Sequence, residues 1–88
     1  QGRLGLALRP LQPGERREAG VESGLLVQDV AGAAERAGVQ AGDVLLAVNG
    51  TPVASAEQVR AVVAKADKSV ALLIQREGDK IFVPVRLG

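Results

Sequence analysis

The chain has 88 residues, 47% of them hydrophobic and 24% charged, which fits one modest globular domain. Eleven Lys and Arg against ten Asp and Glu leave a net charge of +1, far from the clustered positive excess of a nucleic-acid surface. The absence of Cys and His removes disulfides, thiol nucleophiles, a Ser-His-Asp triad and the commonest metal ligands, so no cofactor or metal is expected.

Phe82 is the single aromatic residue, so the core has to come from Val, Leu, Ile and Ala. The longest uncharged run, Val44 to Ala56, is short and is broken by Asn49, Gly50 and Pro52, so no membrane span is expected. The chain starts at Gln1 without a signal-peptide pattern and reads as a piece of something longer.

Leu4, Leu6 and Leu8 recur with period two, which predicts a strand with all three on one face. Pro10 and Pro13-Gly14 end it, and residues 15–19 have room for a turn or two of helix. Gly24 to Val30 predicts a second strand, mostly apolar and buried on both faces. Ala33 to Ala37 is a short helix of strong helix formers, with Gly38 at the glycine-cap position. Val44 to Val48 is a third strand, and Asn49-Gly50 is a strong turn signal.

Ser55 opens the main helix, and Ser55 with Gln58 matches a capping box. Val59, Val62, Val63 and Ala66 keep helical spacing on its apolar face, up to a stop at Asp67-Lys68. Ser69 to Gln75 and Ile81 to Leu87 are the last two strands, joined by a hairpin at residues 76–80. Pro84 cannot donate to a ladder, so its position has to face outward at an edge or bulge. Val59, Val62 and Phe82 are core by residue type. The sum is an α+β domain: a small, partly open β-barrel or sandwich of five to six strands, capped by one main helix and one or two short ones.

Two stretches carry a family resemblance. Arg3-Leu4-Gly5-Leu6 resembles the x-Φ-G-Φ carboxylate-binding loop of PDZ domains. Residues 34–50, from Ala34 through Ala37-Gly38, Gly42-Asp43 and Asn49-Gly50, resemble the PDZ pattern A-x-x-A-G-Φ-x-x-G-D-x-Φ-x-x-Φ-N-G. The order of elements is similar to the circularly permuted bacterial form, and residues 11–27 resemble the second PDZ domain of periplasmic HtrA/DegP-like serine endoproteases. Gly32-Ala33 departs from the Ser-Pro that often precedes the short helix in that family.

The resemblance implies a non-catalytic module that binds an extended peptide by β-strand addition. Arg3, Leu4, Gly5 and Leu6 would receive the peptide carboxylate, and Ala7, Leu8, Ala56, Val59, Arg60 and Val63 would line the groove. An apolar last residue is expected. Ala56 stands where a polar selector for the third-last residue often sits, so no Ser or Thr preference is expected there. Arg60 would favour an acidic side chain upstream. Pro10 has no N–H, so the last three or four peptide residues would dominate. Gly42-Asp43 and Asn49-Gly50 are read as structural turns.

By the same resemblance the parent would be a periplasmic, trypsin-like endopeptidase in protein quality control, homo-oligomeric, with a protease domain and another PDZ domain on the same chain. The alternatives are a PDZ adaptor of a secretion component or other protease, and a degenerate groove used only for oligomer contacts.

Overall fold

The computed structural model describes residues 3–87. The elements run β1 (Leu6–Pro10), α1 (Pro13–Ala19), β2 (Leu25–Val30), α2 (Gly32–Ala37), β3 (Val44–Val48), β4 (Thr51–Pro52), α3 (Ala56–Lys65), β5 (Ser69–Arg76) and β6 (Asp79–Arg86). The six strands form one antiparallel sheet in the order β1-β2-β3-β5-β6, with β4 paired to β3. The α+β class and the strand number agree with the sequence reading.

The core contains no aromatic ring. Leu25, Leu45, Leu72 and Ile74 are its largest fully buried side chains, with Val27, Val48, Val53 and Val85 around them. Each buried Leu or Ile contributes about 1.5–3 kcal/mol by leaving water.

Local chemistry sets the boundaries. Asn49 and Gly50 both take positive φ, as a two-residue hairpin turn between β3 and β4 demands. Asn49 then continues the β3–β5 ladder: its N–H donates to Ala71 O, and its Oδ1 accepts from Ala71 N–H, each at 2.8 Å. Those bonds turn both polar groups of Ala71 toward β3. Ala71 opposes Pro84 on β6, so the missing Pro84 N–H faces the open side of an edge strand and no ladder bond is lost.

Asp43 is 2% exposed, yet fully partnered. It accepts from Gln40 N–H at 2.9 Å and from Arg76 through two bonds at 2.8 and 2.7 Å. Burial pushes the Asp43 carboxyl up, but the Arg76 hydrogen bonds, the Gln40 N–H and the Arg76 charge together hold it below its ordinary value. The Gly42-Asp43 turn is thus pinned to β5 from inside.

Three expectations need correction. β2 is not buried on both faces: Leu25 and Val27 are buried, while Gln28 and Asp29 are exposed. The register with β1 slips there, Ala7 opposing Asp29 and Leu8 opposing Val27, so Gln28 is an unpaired bulge residue. Leu4 is buried but lies in the turn before β1, not in the strand. Phe82 is 73% exposed rather than core, because Val83 and Val85 point inward and alternation sends Phe82 out with Lys80, Pro84 and Arg86.

Candidate peptide-binding groove

β1 is an edge strand, and α3 packs across it. Between them lies a cavity of about 290 Å³, lined by Leu4, Leu6 and Leu8 on one side and by Ala56, Val59, Val63 and Ala64 on the other, with Arg3 and Arg60 at its borders. Among the described residues no carboxylate lines it, and the cavity is apolar with a cationic border.

Each wall has a local cause. The α3 wall stands because Ser55 caps the helix: its Oγ accepts from Gln58 N–H at 3.2 Å, and Gln58 Oε1 accepts from Ser55 N–H at 3.1 Å. Val59 and Val63, four residues apart, then share one buried face. The β1 wall follows from the strand register. Ala31 N–H donates to Gly5 O, and Leu11 N–H donates to Gly24 O, which makes Leu6–Val30 and Pro10–Leu25 the widely spaced pairs of the ladder. The N–H and C=O of Leu6 and Leu8 therefore point away from β2, toward the open edge. Pro10 falls in the same phase but has no N–H, and its carbonyl accepts from Arg9 at 3.1 Å.

The loop at the groove's end is held from behind by α2. Leu4 O accepts from Ala34 N–H at 2.9 Å, and Gly5 O accepts from Ala31 N–H at 2.8 Å. In a trans peptide the C=O and N–H point opposite ways. Pulling both carbonyls toward α2 therefore aims the Gly5 and Leu6 N–H groups into the groove, as a small anion-binding nest. Gly5 has φ +82°, and a Cβ there would lie 2.1 Å from Ala31 O, so the position admits glycine alone.

Of the ten residues singled out in the sequence, nine sit at this groove. Arg3, Leu4, Leu6, Leu8, Ala56, Val59, Arg60 and Val63 line it, and Gly5 closes its end. Ala7 does not: strand alternation turns its side chain away from Leu6 and Leu8, and its backbone pairs with Asp29 of β2. Ala64 is an addition, recoverable from the helical spacing Ala56, Arg60, Ala64. Arg3 has a second surprise: its guanidinium donates to the carbonyls of Val63, Ala66 and Asp67, at 3.1, 3.3 and 3.2 Å.

Residues 25–76 match the family model for the PDZ domain. The chain belongs to the PDZ-domain family. This PDZ domain is 36% identical over 90 residues to the probable periplasmic serine endoprotease DegP-like of Halomonas elongata, a match covering 98% of this chain and 19% of that protein. It therefore spans a small part of the length of that relative. Among solved structures it is similar to the HtrA3 PDZ domain bound to the phage-derived ligand FGRWV, with a TM-score of 0.81 and 28% identity, over 94% of this chain and 81% of that one. It also shares the fold of the HtrA-type protease AlgW with tripeptide, at a TM-score of 0.84 and 23% identity, over 97% of this chain and 30% of that one. Among the described residues of the PDZ domain, no helix is long and apolar enough to cross a membrane.

Proposed function

We propose that residues 1–88 are one PDZ domain that captures C-terminal or unfolded segments of other proteins by β-strand addition. The observation that carries this reading is the edge of β1: the backbone of Leu6 and Leu8 is turned outward along an apolar groove that ends at inward-facing N–H groups. An incoming strand would run antiparallel to β1 under α3, its main chain bonded to Leu6 and Leu8. Its last side chain would enter the space between Leu4, Leu6 and Val63, which favours Val, Leu, Ile, Ala or Phe. Its carboxylate would meet the N–H groups of Gly5 and Leu6. The HtrA3 PDZ domain, solved with a peptide ending in Val, supports the reading by likeness.

The chain has no His and no Cys, and its membership of the PDZ family supports a domain that acts by binding. In the whole protein we place it as the C-terminal substrate-binding or regulatory domain of a periplasmic, homo-oligomeric, DegP-like serine endoprotease in protein quality control. The DegP-like relative of Halomonas elongata supports this placement.

Fluorescence polarisation with a labelled peptide ending in Val tests the binding, since the chain has no Trp or Tyr to report it. The free acid is expected to bind with a Kd of about 1–100 μM, and the C-terminal amide more weakly. No binding across a varied peptide library would overturn the reading and leave the groove as a packing surface.

A further inference from the structure

A second cavity, of about 320 Å³, lies away from the groove and shares no lining residue with it. Leu11, Leu26 and Val44 give it an apolar wall, with Ala19 of α1 beside them. Leu26, Val44 and Gln75 oppose one another across β2, β3 and β5, so strand pairing sets them in one row. Carboxylates border this wall: Glu15 and Glu18 from α1, and Glu77 from the turn between β5 and β6. Among the described residues no Lys or Arg lines the cavity.

The carboxylates are unequally answered. Glu15 is taken by Arg9 through two bonds of 2.7 Å. Glu18 and Glu77 are exposed and, among the described residues, enter no salt bridge. Lys80 stands opposite Gln75 on β6, but it is exposed and does not line the cavity. Gln75 is only 8% exposed. Its Nε2 donates to Ala19 O at 2.6 Å and ties β5 to the end of α1. That bond uses one end of the amide. Among the described residues the other end, Oε1, accepts no hydrogen bond, and no fully buried side-chain atom lacks a partner. The oxygen is therefore open to the cavity that Gln75 lines. An acceptor in so buried a side chain favours a ligand that brings a donor.

The free groups of the cavity are thus all acceptors: two carboxylates and an amide oxygen, beside an apolar wall. An arginine side chain matches them. Its methylene stem can lie along Leu26 and Val44, and its planar fork of donors can serve carboxylate and amide oxygens together. We infer that this cavity is a docking site for an arginine side chain presented by a partner protein, received by Glu18, Glu77 and the Gln75 Oε1. Charge complementarity selects the partner, and a partner seated there leaves the edge of β1 open.

The test titrates the isotope-labelled domain with the capped tripeptide acetyl-Gly-Arg-Gly-amide, and with the same peptide carrying citrulline, the neutral isostere of arginine. The readout is the Gln75 side-chain amide signal, with the backbone signals of Ala19, Glu77 and Gly78. The arginine peptide should move these signals with a Kd of about 1–10 mM and leave Gly5 and Leu6 still. The citrulline peptide should bind at least about fivefold more weakly, because it lacks the charge that strengthens each bond. Glu18→Gln and Glu77→Gln should each weaken the arginine peptide by about twofold to fivefold, the size of an exposed ion pair. Both residues are exposed, so the melting temperature should not change. Equal binding of the two peptides, or variants that bind the arginine peptide like the wild type, would overturn the assignment. So would signals that stay still at saturating peptide. Movement of the same signals on dilution of the domain alone would give the cavity to a second copy of this chain and overturn the partner named here.

Discussion

The N–H of Ala31 donates to the carbonyl of Gly5 at 2.8 Å, and that contact decides which way the loop faces. Ala31 is the N-cap residue of α2, so its N–H lies outside the helix's own ladder. Once it takes the Gly5 oxygen, the Gly5–Leu6 peptide plane is fixed and the Leu6 N–H turns to the groove. Ala34 does the same for the Leu4–Gly5 plane through Leu4 O, at 2.9 Å. The loop before β1 is thus oriented by a short helix that does not line the groove.

Gly5→Ala follows from this geometry. The new Cβ would lie 2.1 Å from Ala31 O, and the residue would have to hold φ +82°. Positive φ alone costs a non-glycine residue about 1–3 kcal/mol, so the contact with Ala31 has to open. Urea unfolding should show a loss of at least about 2 kcal/mol, and free-acid peptide binding should disappear. A variant as stable as the wild type, with intact binding, would mean that the loop does not take this conformation.

On the proposed strand addition, Pro10 would set the length of peptide that is read. Leu6 and Leu8 offer both backbone groups to the edge, whereas Pro10 has no N–H and its carbonyl is engaged by Arg9. Peptides of more than about four residues should therefore gain little over shorter ones, a typical edge-strand limit. Pro10→Ala restores one donor. It should improve the longer peptides by about twofold to tenfold, the worth of one net hydrogen bond, and leave the short ones unchanged. Equal effects on both lengths would contradict this register.

Arg60 borders the groove from α3, one turn beyond Ala56. An acidic side chain upstream of the terminal residue should bind about twofold to fivefold better than a basic one at low salt, the size of an exposed ion pair. The preference should fade at roughly 1 M salt, where the screening length falls to a few ångströms. Arg60→Glu should reverse it. A preference that survives both high salt and charge reversal would assign it to another residue.

The Arg9–Glu15 pair gives the domain a pH dependence. Arg9 donates to both Glu15 carboxylate oxygens at 2.7 Å, and the Gln12 N–H adds a third bond at 2.8 Å. These contacts hold the Glu15 carboxyl down at about 2, from an ordinary 4.5. Between those values the unfolded chain binds more protons than the folded one, so stability rises with pH in that window. The contribution is complete above about pH 4.5 and is lost as the pH falls toward 2. Buried Asp43, also held low, acts in the same direction. The melting temperature of Glu15→Gln should fall less steeply across this range than that of the wild type. Parallel curves would show that Glu15 carries none of the dependence.

Much of the site was readable from the sequence because it depends on local patterns. The alternation of Leu4, Leu6 and Leu8, the Ser55–Gln58 box and the Val59–Val63 spacing each need only a few neighbouring residues, and together they place both walls. What escaped depends on partners far along the chain. Arg3 finds its acceptors sixty or more residues away, at and just past the end of α3, and Asp43 finds Arg76 on β5. Phe82 is a different case. The alternation of Ile81, Val83 and Val85 already put it on the outer face, and assigning it by residue type overrode that phase. The bulge at Gln28 left no local mark, since it arises from the β1–β2 pairing itself.

The most direct test of the groove is an amide chemical-shift titration of the labelled domain with a free-acid peptide ending in Val. The expected result is that the Gly5, Leu6 and Leu8 N–H signals move most, with Val59, Arg60 and Val63 next and the β6 strand around Phe82 unmoved. Shifts centred on β6 or on α1, with the Gly5 and Leu6 signals unchanged at saturation, would contradict a peptide site between β1 and α3.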